Sequence, residues 1–149
     1  CVCEATTVRR YLNKVSGPLL ERIDLHVEVT PVSFDEMTAR RKAEKSEDIR
    51  ARVVKARAIQ QQRFEKHPDI HANALMPSAM VKEICQISKA GQNLLKAATE
   101  KLGFSARAYD RILKVSRTVA DLAGEEAISE FHLAEAIQFR SLDRDGWGG

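Results

Sequence analysis

The 149 residues are 44% apolar and 30% charged, a balance that suits one folded domain with a small appendage and excludes a disordered chain. A net charge of +3 is too slight to mark a nucleic-acid binder by itself. No apolar run nears the roughly 20 residues of a membrane span, so no membrane partner is expected. No signal peptide is visible, and three cysteines, an odd number, argue against a disulfide framework, so a reducing cytoplasm is the expected setting. The chain opens at Cys1 rather than Met, from which a longer parent protein is expected.

In chain order, Val8, Tyr11, Leu12 and Val15 after Thr7 form the apolar stripe of a first helix, stopped by Ser16-Gly17-Pro18. Ile23, Leu25, Val27 and Val29 then alternate with polar residues and predict a half-buried strand over 23–29, closed by Pro31, with His26 on its polar side. One strand cannot form a sheet, so its partners are expected outside this sequence, and within these residues alone the segment is expected to be disordered, rearranged or paired between molecules. The pattern thereafter is helical. Ser33 to Glu36 has the form of a capping box. The charged residues 39–46 are expected to form a linker or solvated turn. Ser46 to about Lys66 is predicted as a long helix with Ile49, Val53, Ala56 and Ile59 inward, and 67–75 as a loop. Pro77 opens a helix carrying Met80, Val81, Ile84 and Ile87; the next carries Leu94, Leu95, Ala98 and Leu102 and stops at Gly103. Ser105 caps the cleanest helix, with Tyr109, Ile112, Leu113, Val119 and Ala120 inward and Gly124 at its end. Ile128-Ser129 opens the last helix, with Ile128 able to staple against Leu133, and the tail from Trp147 is expected to fray. The chain therefore divides at about residue 32, into the end of an α/β unit and a mainly α bundle of four or five helices.

Two arginines stand out. Arg22 lies between a Gly-Pro-terminated helix and the predicted strand; its planar fork suits phosphate oxygens, while the plainer alternative is a surface arginine paired with Glu21 or Asp24. Arg107 lies in the first turn of the cleanest helix, where free N–H groups favour anions and the dipole disfavours a cation. A phosphate would answer both charges; a solvated arginine is the alternative. Cys1 and Cys3 could supply at most two of the four ligands of a structural zinc, and Cys85 reads as a small core residue. Pro68 and the loop spoil His67 and His71 as a helical metal pair, and His132 falls in the first turn of the last helix. The basic residues Arg50, Arg52, Lys55, Arg57, Arg63 and Lys66 are spread around the long helix and read as a solvated face, with a phosphate-backbone contact as the weaker alternative.

Residues Arg10–Val29 resemble the arginine-finger region of magnesium-chelatase-like AAA+ ATPases, Gly103–Leu122 resemble their sensor-2 helix, and Ala134–Arg144 resemble the C-terminus of the ComM (competence protein) branch. The resemblance covers nearly the whole chain and is weakest over about 30–80. It implies that residues 1–32 are the C-terminal end of an AAA+ α/β core and 33–149 a helical lid. By it, Arg22 is an arginine finger acting in trans on ATP held by the adjacent subunit of a ring. Arg107 is then the sensor-2 arginine on ATP phosphate, in its own subunit or a neighbour's. Cys1 and Cys3 become half of a zinc site, incomplete here, whose other cysteine pair lies upstream in that branch.

No Gly-x-x-x-x-Gly-Lys-Ser/Thr loop and no apolar strand ending in acidic magnesium ligands occurs, and both are needed to hold MgATP. These 149 residues alone are therefore expected to be inactive as an ATPase, with ATP and magnesium as cofactors of the full-length protein. The resemblance implies a ring-forming motor acting on DNA and linked to natural transformation. The motor of a magnesium chelatase and a helical interaction or DNA-binding bundle without ATP are the alternatives.

Overall fold

The computed structural model describes residues 2–29, 31–34 and 43–140. Seven α-helices account for most of them: α1 (Ala5–Leu12), α2 (Gly17–Leu20), α3 (Ser46–Arg63), α4 (Ser78–Ile84), α5 (Lys89–Leu102), α6 (Ala106–Ala123) and α7 (Glu130–Gln138), with a 3₁₀ turn at Asn73–Leu75. The mainly α expectation is met. Gly17 and Pro18, expected only to stop α1, also open the short α2.

The bundle is organised around α6. Its residues Ala108, Ile112, Leu113, Ser116, Arg117, Ala120 and Asp121 are buried, a spacing of three and four that keeps one broad face inward over nearly four turns. That face meets α3, the 3₁₀ turn, α4 and α7. Phe64, Met76, Val81, Leu95, Phe104, Leu133 and Ala136 complete a largely aliphatic core. The ends of α6 follow from local chemistry. Ser105 Oγ accepts the N–H of Ala108 at 3.3 Å. Gly124 adopts φ +76°, which lets Glu125 N–H reach back to Ala120 O at 2.9 Å and closes the helix in a Schellman turn.

Helices α5 and α7 start side by side, because Ile87 and Ile128 pair in an isolated parallel bridge. Ser88 then donates to Glu130 at 2.5 Å. Gly91 is buried there, and a Cβ on it would stand 2.8 Å from Leu133 Cδ1, so the absence of a side chain permits this approach. At the start of α7 the backbone N–H of Ser129 donates to Nδ1 of His132, which leaves Nε2 facing Glu125 at 3.7 Å. His132 thus has a capping role that its position in the first turn only hinted at.

Not every expectation is met, and Ile87, expected on the helix from Pro77, lies beyond its end at Ile84. The strand over 23–29 is not formed: among the described residues this segment has no ladder, and it is tied to the bundle through His26 N–H to Phe139 O at 2.7 Å. A strand needs a neighbour offering backbone groups in register, and the helical bundle offers none. Its two sides are also reversed. Val29 is 87% exposed and Ile23, Leu25 and Val27 are exposed too, whereas His26 is 6% exposed, its Nε2 3.2 Å from Leu20 O. On α3, Ile49 and Val53 are exposed, because the buried part of this helix begins at Ala56. Tyr109 is exposed at the rim of α6. Asp35 and Glu36 of the expected capping box, and the tail from residue 141, lie outside the described residues.

Candidate functional site

The N-terminal half of α6 projects three cations, Arg107, Arg111 and Lys114, at spacings of four and three that place them on neighbouring strips of one helix. Arg107 is 71% exposed in the first turn, where the Ser105 side chain takes up one of the free N–H groups. Lys114 donates to Ala74 O at 3.0 Å; burial, and then the Arg111 charge, hold its ammonium below the usual lysine value.

The segment containing Arg22 lies against this half-helix. Glu21 Oε2 stands 3.9 Å from Arg107 Nη1, and Asp24 forms an ion pair with Arg111. Arg140, buried in the turn that follows α7, donates to the carbonyl of Ile23. The acids flanking Arg22 are therefore engaged by arginines of α6, not by Arg22. The Arg22 side chain is exposed and makes no ion pair among the described residues. The structure thus brings the two candidate arginines to one region through Glu21 and Asp24, which spacing along the chain could not show. Two guanidiniums, of Arg107 and Arg111, face two carboxylates there, and the Glu21–Arg107 contact is long and solvated, so an incoming anion displaces it at little cost. Exposed Arg107, in the first turn of a helix, fits phosphate oxygens.

The other candidates do not join this site. Cys3 is exposed, Cys1 lies outside the described residues, and among the described residues no group of three or more His, Cys, Asp or Glu could hold a metal. Cys85 is buried, and its thiol is pushed up to about 11, first by burial. Among the basic residues of α3, Arg52 pairs with exposed Glu44 at 2.5 Å, as a solvated face would. Arg63 departs from that expectation. It turns inward and binds Asp121 through two bonds, of 2.7 and 2.5 Å. Asp121 also accepts from Asn73 at 2.8 Å and Arg117 Nε at 3.1 Å, while Arg117 caps the carbonyls of Glu126 and Glu125 at 2.5 and 2.6 Å. A depression of about 450 Å³ borders this network, between Ile59, Arg63, Ile84, Arg117 and Gly124, but the arginines beside it are already committed. The one sequence signal for the network was an Arg–Asp pair at i, i+4 flanking the apolar stripe of α6.

The sequence profile described as magnesium chelatase, subunit ChlI C-terminal, matches residues 43–140, and that described as magnesium chelatase, subunit ChlI, matches residues 1–37. The chain belongs to the magnesium chelatase ChlI family, on its ComM side. It is 43% identical over 139 residues to competence protein ComM of Haemophilus influenzae, an alignment covering 92% of this chain and 26% of that protein. It is 35% identical over 144 residues to the uncharacterized protein YifB of Escherichia coli, covering 95% of this chain and 27% of YifB, and equally so to YifB of Salmonella typhimurium. The chain thus spans about a quarter of the length of these relatives. Among the described residues no helix is long and apolar enough to cross a membrane.

Proposed function

We propose that this chain supplies the accessory arginines of an ATP site in a ring-forming AAA+ ATPase of the ComM branch, which works in the cytoplasm on DNA. Residues 1–32 belong in this proposal to the end of the α/β core and 33–149 to the lid. Arg22 is the finger reaching ATP on the adjacent subunit, and Arg107 is the sensor-2 arginine. The observation that carries the proposal is that exposed Arg107, on the first turn of α6, has the Arg22 segment lying against it through Glu21 and Asp24. A finger stabilises charge on the transferring phosphoryl group, worth roughly 10³–10⁵ in rate where it has been measured in GTPases. ATP and magnesium are held by parts of the full-length protein beyond these residues, which carry no phosphate-gripping loop. Zinc would need a second cysteine pair beside Cys1 and Cys3.

The test is made on the full-length protein. Arg22→Ala abolishes ATP hydrolysis and largely spares ATP binding; loss of binding with turnover intact sinks the finger assignment. The 149 residues alone have negligible ATPase activity. The family's description favours a second reading, a motor that drives magnesium insertion into a porphyrin. Salt-dependent binding of the full-length protein to branched DNA separates the two.

A further inference from the structure

An arginine that acts on a neighbour's phosphate must be held to within about an ångström, since a misplacement of that size costs on the order of 10²-fold in rate. Locally, only a turn holds Arg22: its N–H and that of Ile23 reach Leu19 O and Leu20 O at 3.0 Å each after the four-residue α2, and residues 25–29 have no ladder among the described residues. What else fixes this segment comes from the bundle. Arg140 donates to Ile23 O, Arg111 pairs with Asp24, and Phe139 O accepts from His26 N–H at 2.7 Å, so anchors fall one, two and four residues after Arg22. Of these, the Asp24–Arg111 pair alone joins the segment to α6, one turn beyond Arg107.

We propose that Asp24 and Arg111 are positioning residues for Arg22: their ion pair sets where the Arg22 side chain stands relative to α6. This rests on Arg22 acting as a finger. Asp24 is 47% exposed at its side chain and Arg111 28%, so the pair contributes little to stability. Its loss therefore changes the aim of Arg22 and leaves the fold in place.

The experiment uses the full-length ATPase with three measurements: ATP binding, steady-state kcat and KM, and thermal melting. Asp24→Asn lowers kcat by about fivefold, the largest bias that an ion pair this exposed can exert, with the nucleotide Kd and the melting temperature close to wild type. Arg111→Gln does the same, and the double variant is no worse than either single one, because both remove one contact. The charge-swapped double variant Asp24→Arg with Arg111→Asp regains a large part of kcat and remains a test should Arg111→Gln fold poorly. Arg22→Ala is measured alongside. If it loses turnover while Asp24→Asn keeps the wild-type kcat, the positioning role is overturned and the finger stands. If Arg22→Ala turns over normally, the finger assignment falls and the positioning role with it. Additive losses in Asp24→Asn and Arg111→Gln also overturn the pairing.

Discussion

Arg63 on α3 and Asp121 on α6, 58 residues apart, face each other as a two-bond pair, Nη1 to Oδ2 at 2.7 Å and Nη2 to Oδ1 at 2.5 Å. Asn73 joins them from the 3₁₀ turn, accepting from Arg63 at 2.9 Å, while its backbone N–H donates to Gln60 Oε1 at 3.1 Å. One carboxylate therefore ties α3, the 3₁₀ turn and α6 together and also holds Arg117, whose guanidinium closes the turn after α6. A bidentate pair satisfied this fully keeps a buried charge tolerable; a half-made one does not.

Asp121→Ala should cost about 3–5 kcal/mol, because it leaves Arg117 buried without its counter-charge. Urea unfolding measures it. Burial pushes the Asp121 carboxyl up, but hydrogen bonds from Arg63 and Asn73 and the charges of Arg63 and Arg117 outweigh it, so its pKa lies below the ordinary value. A lowered native pKa contributes stability that is complete above the unfolded value of about 3.9 and is lost as pH falls below it. Acid unfolding of wild type should therefore steepen below about pH 4, and Asp121→Asn should be less stable at neutral pH with a flatter acid limb. Equal acid limbs would remove Asp121 from the account.

The two described cysteines should react very differently. Cys3 is exposed, whereas Cys85 is buried with its thiol raised to about 11, so almost none of it is thiolate at neutral pH. A thiol-specific reagent at pH 8 should label Cys3 within minutes and Cys85 only when the chain is unfolded. Equal labelling rates in the native protein would mean that the core around Cys85 opens readily.

Gly124→Ala should destabilise by about 1–2 kcal/mol, because φ +76° strains any residue with a Cβ. Gly91→Leu should cost more. Its Cβ alone meets Leu133 at 2.8 Å, and Leu133 is fully buried, so α5 and α7 must separate to admit it. Thermal melts of both variants check the order.

Arg107→Ala in the full-length protein should lower nucleotide-dependent turnover without moving the melting temperature. The side chain is 71% exposed and its one ion pair, to Glu21, is long. Ser105→Ala, by contrast, removes the cap beside it and should cost about 1 kcal/mol of stability. Parallel ATPase and melting curves separate the two effects; a drop in melting temperature for Arg107→Ala would assign it a structural role.

Much of the bundle was legible along the chain. The apolar stripe of α6, its Ser105 start and its Gly124 end depend on groups within four or five residues of one another, and they appear where the pattern put them. The stripe of α3 was read as buried throughout, yet Ile49 and Val53 are exposed; periodicity shows which face a core would take, not how far the core extends. The alternation over 23–29 misled for a related reason. It describes a segment suited to a sheet, and no sheet meets it here, so its apolar side is exposed and His26 turns inward.

By itself the sequence determined the longer helices, the Ser105 and Gly124 ends of α6, the aliphatic core and, through Arg22 and Arg107 in their contexts, the family resemblance. Each of these rests on neighbours a few residues apart. Only the tertiary structure decided that Arg63 is a buried partner of Asp121, and that Glu21 and Asp24 engage Arg107 and Arg111 and leave Arg22 unpaired among the described residues. Those pairings join residues 58 to 87 positions apart, and a charge's partner over such a span is set by how the helices pack, because Coulomb attraction and hydrogen bonding act through space and carry no trace in local spacing.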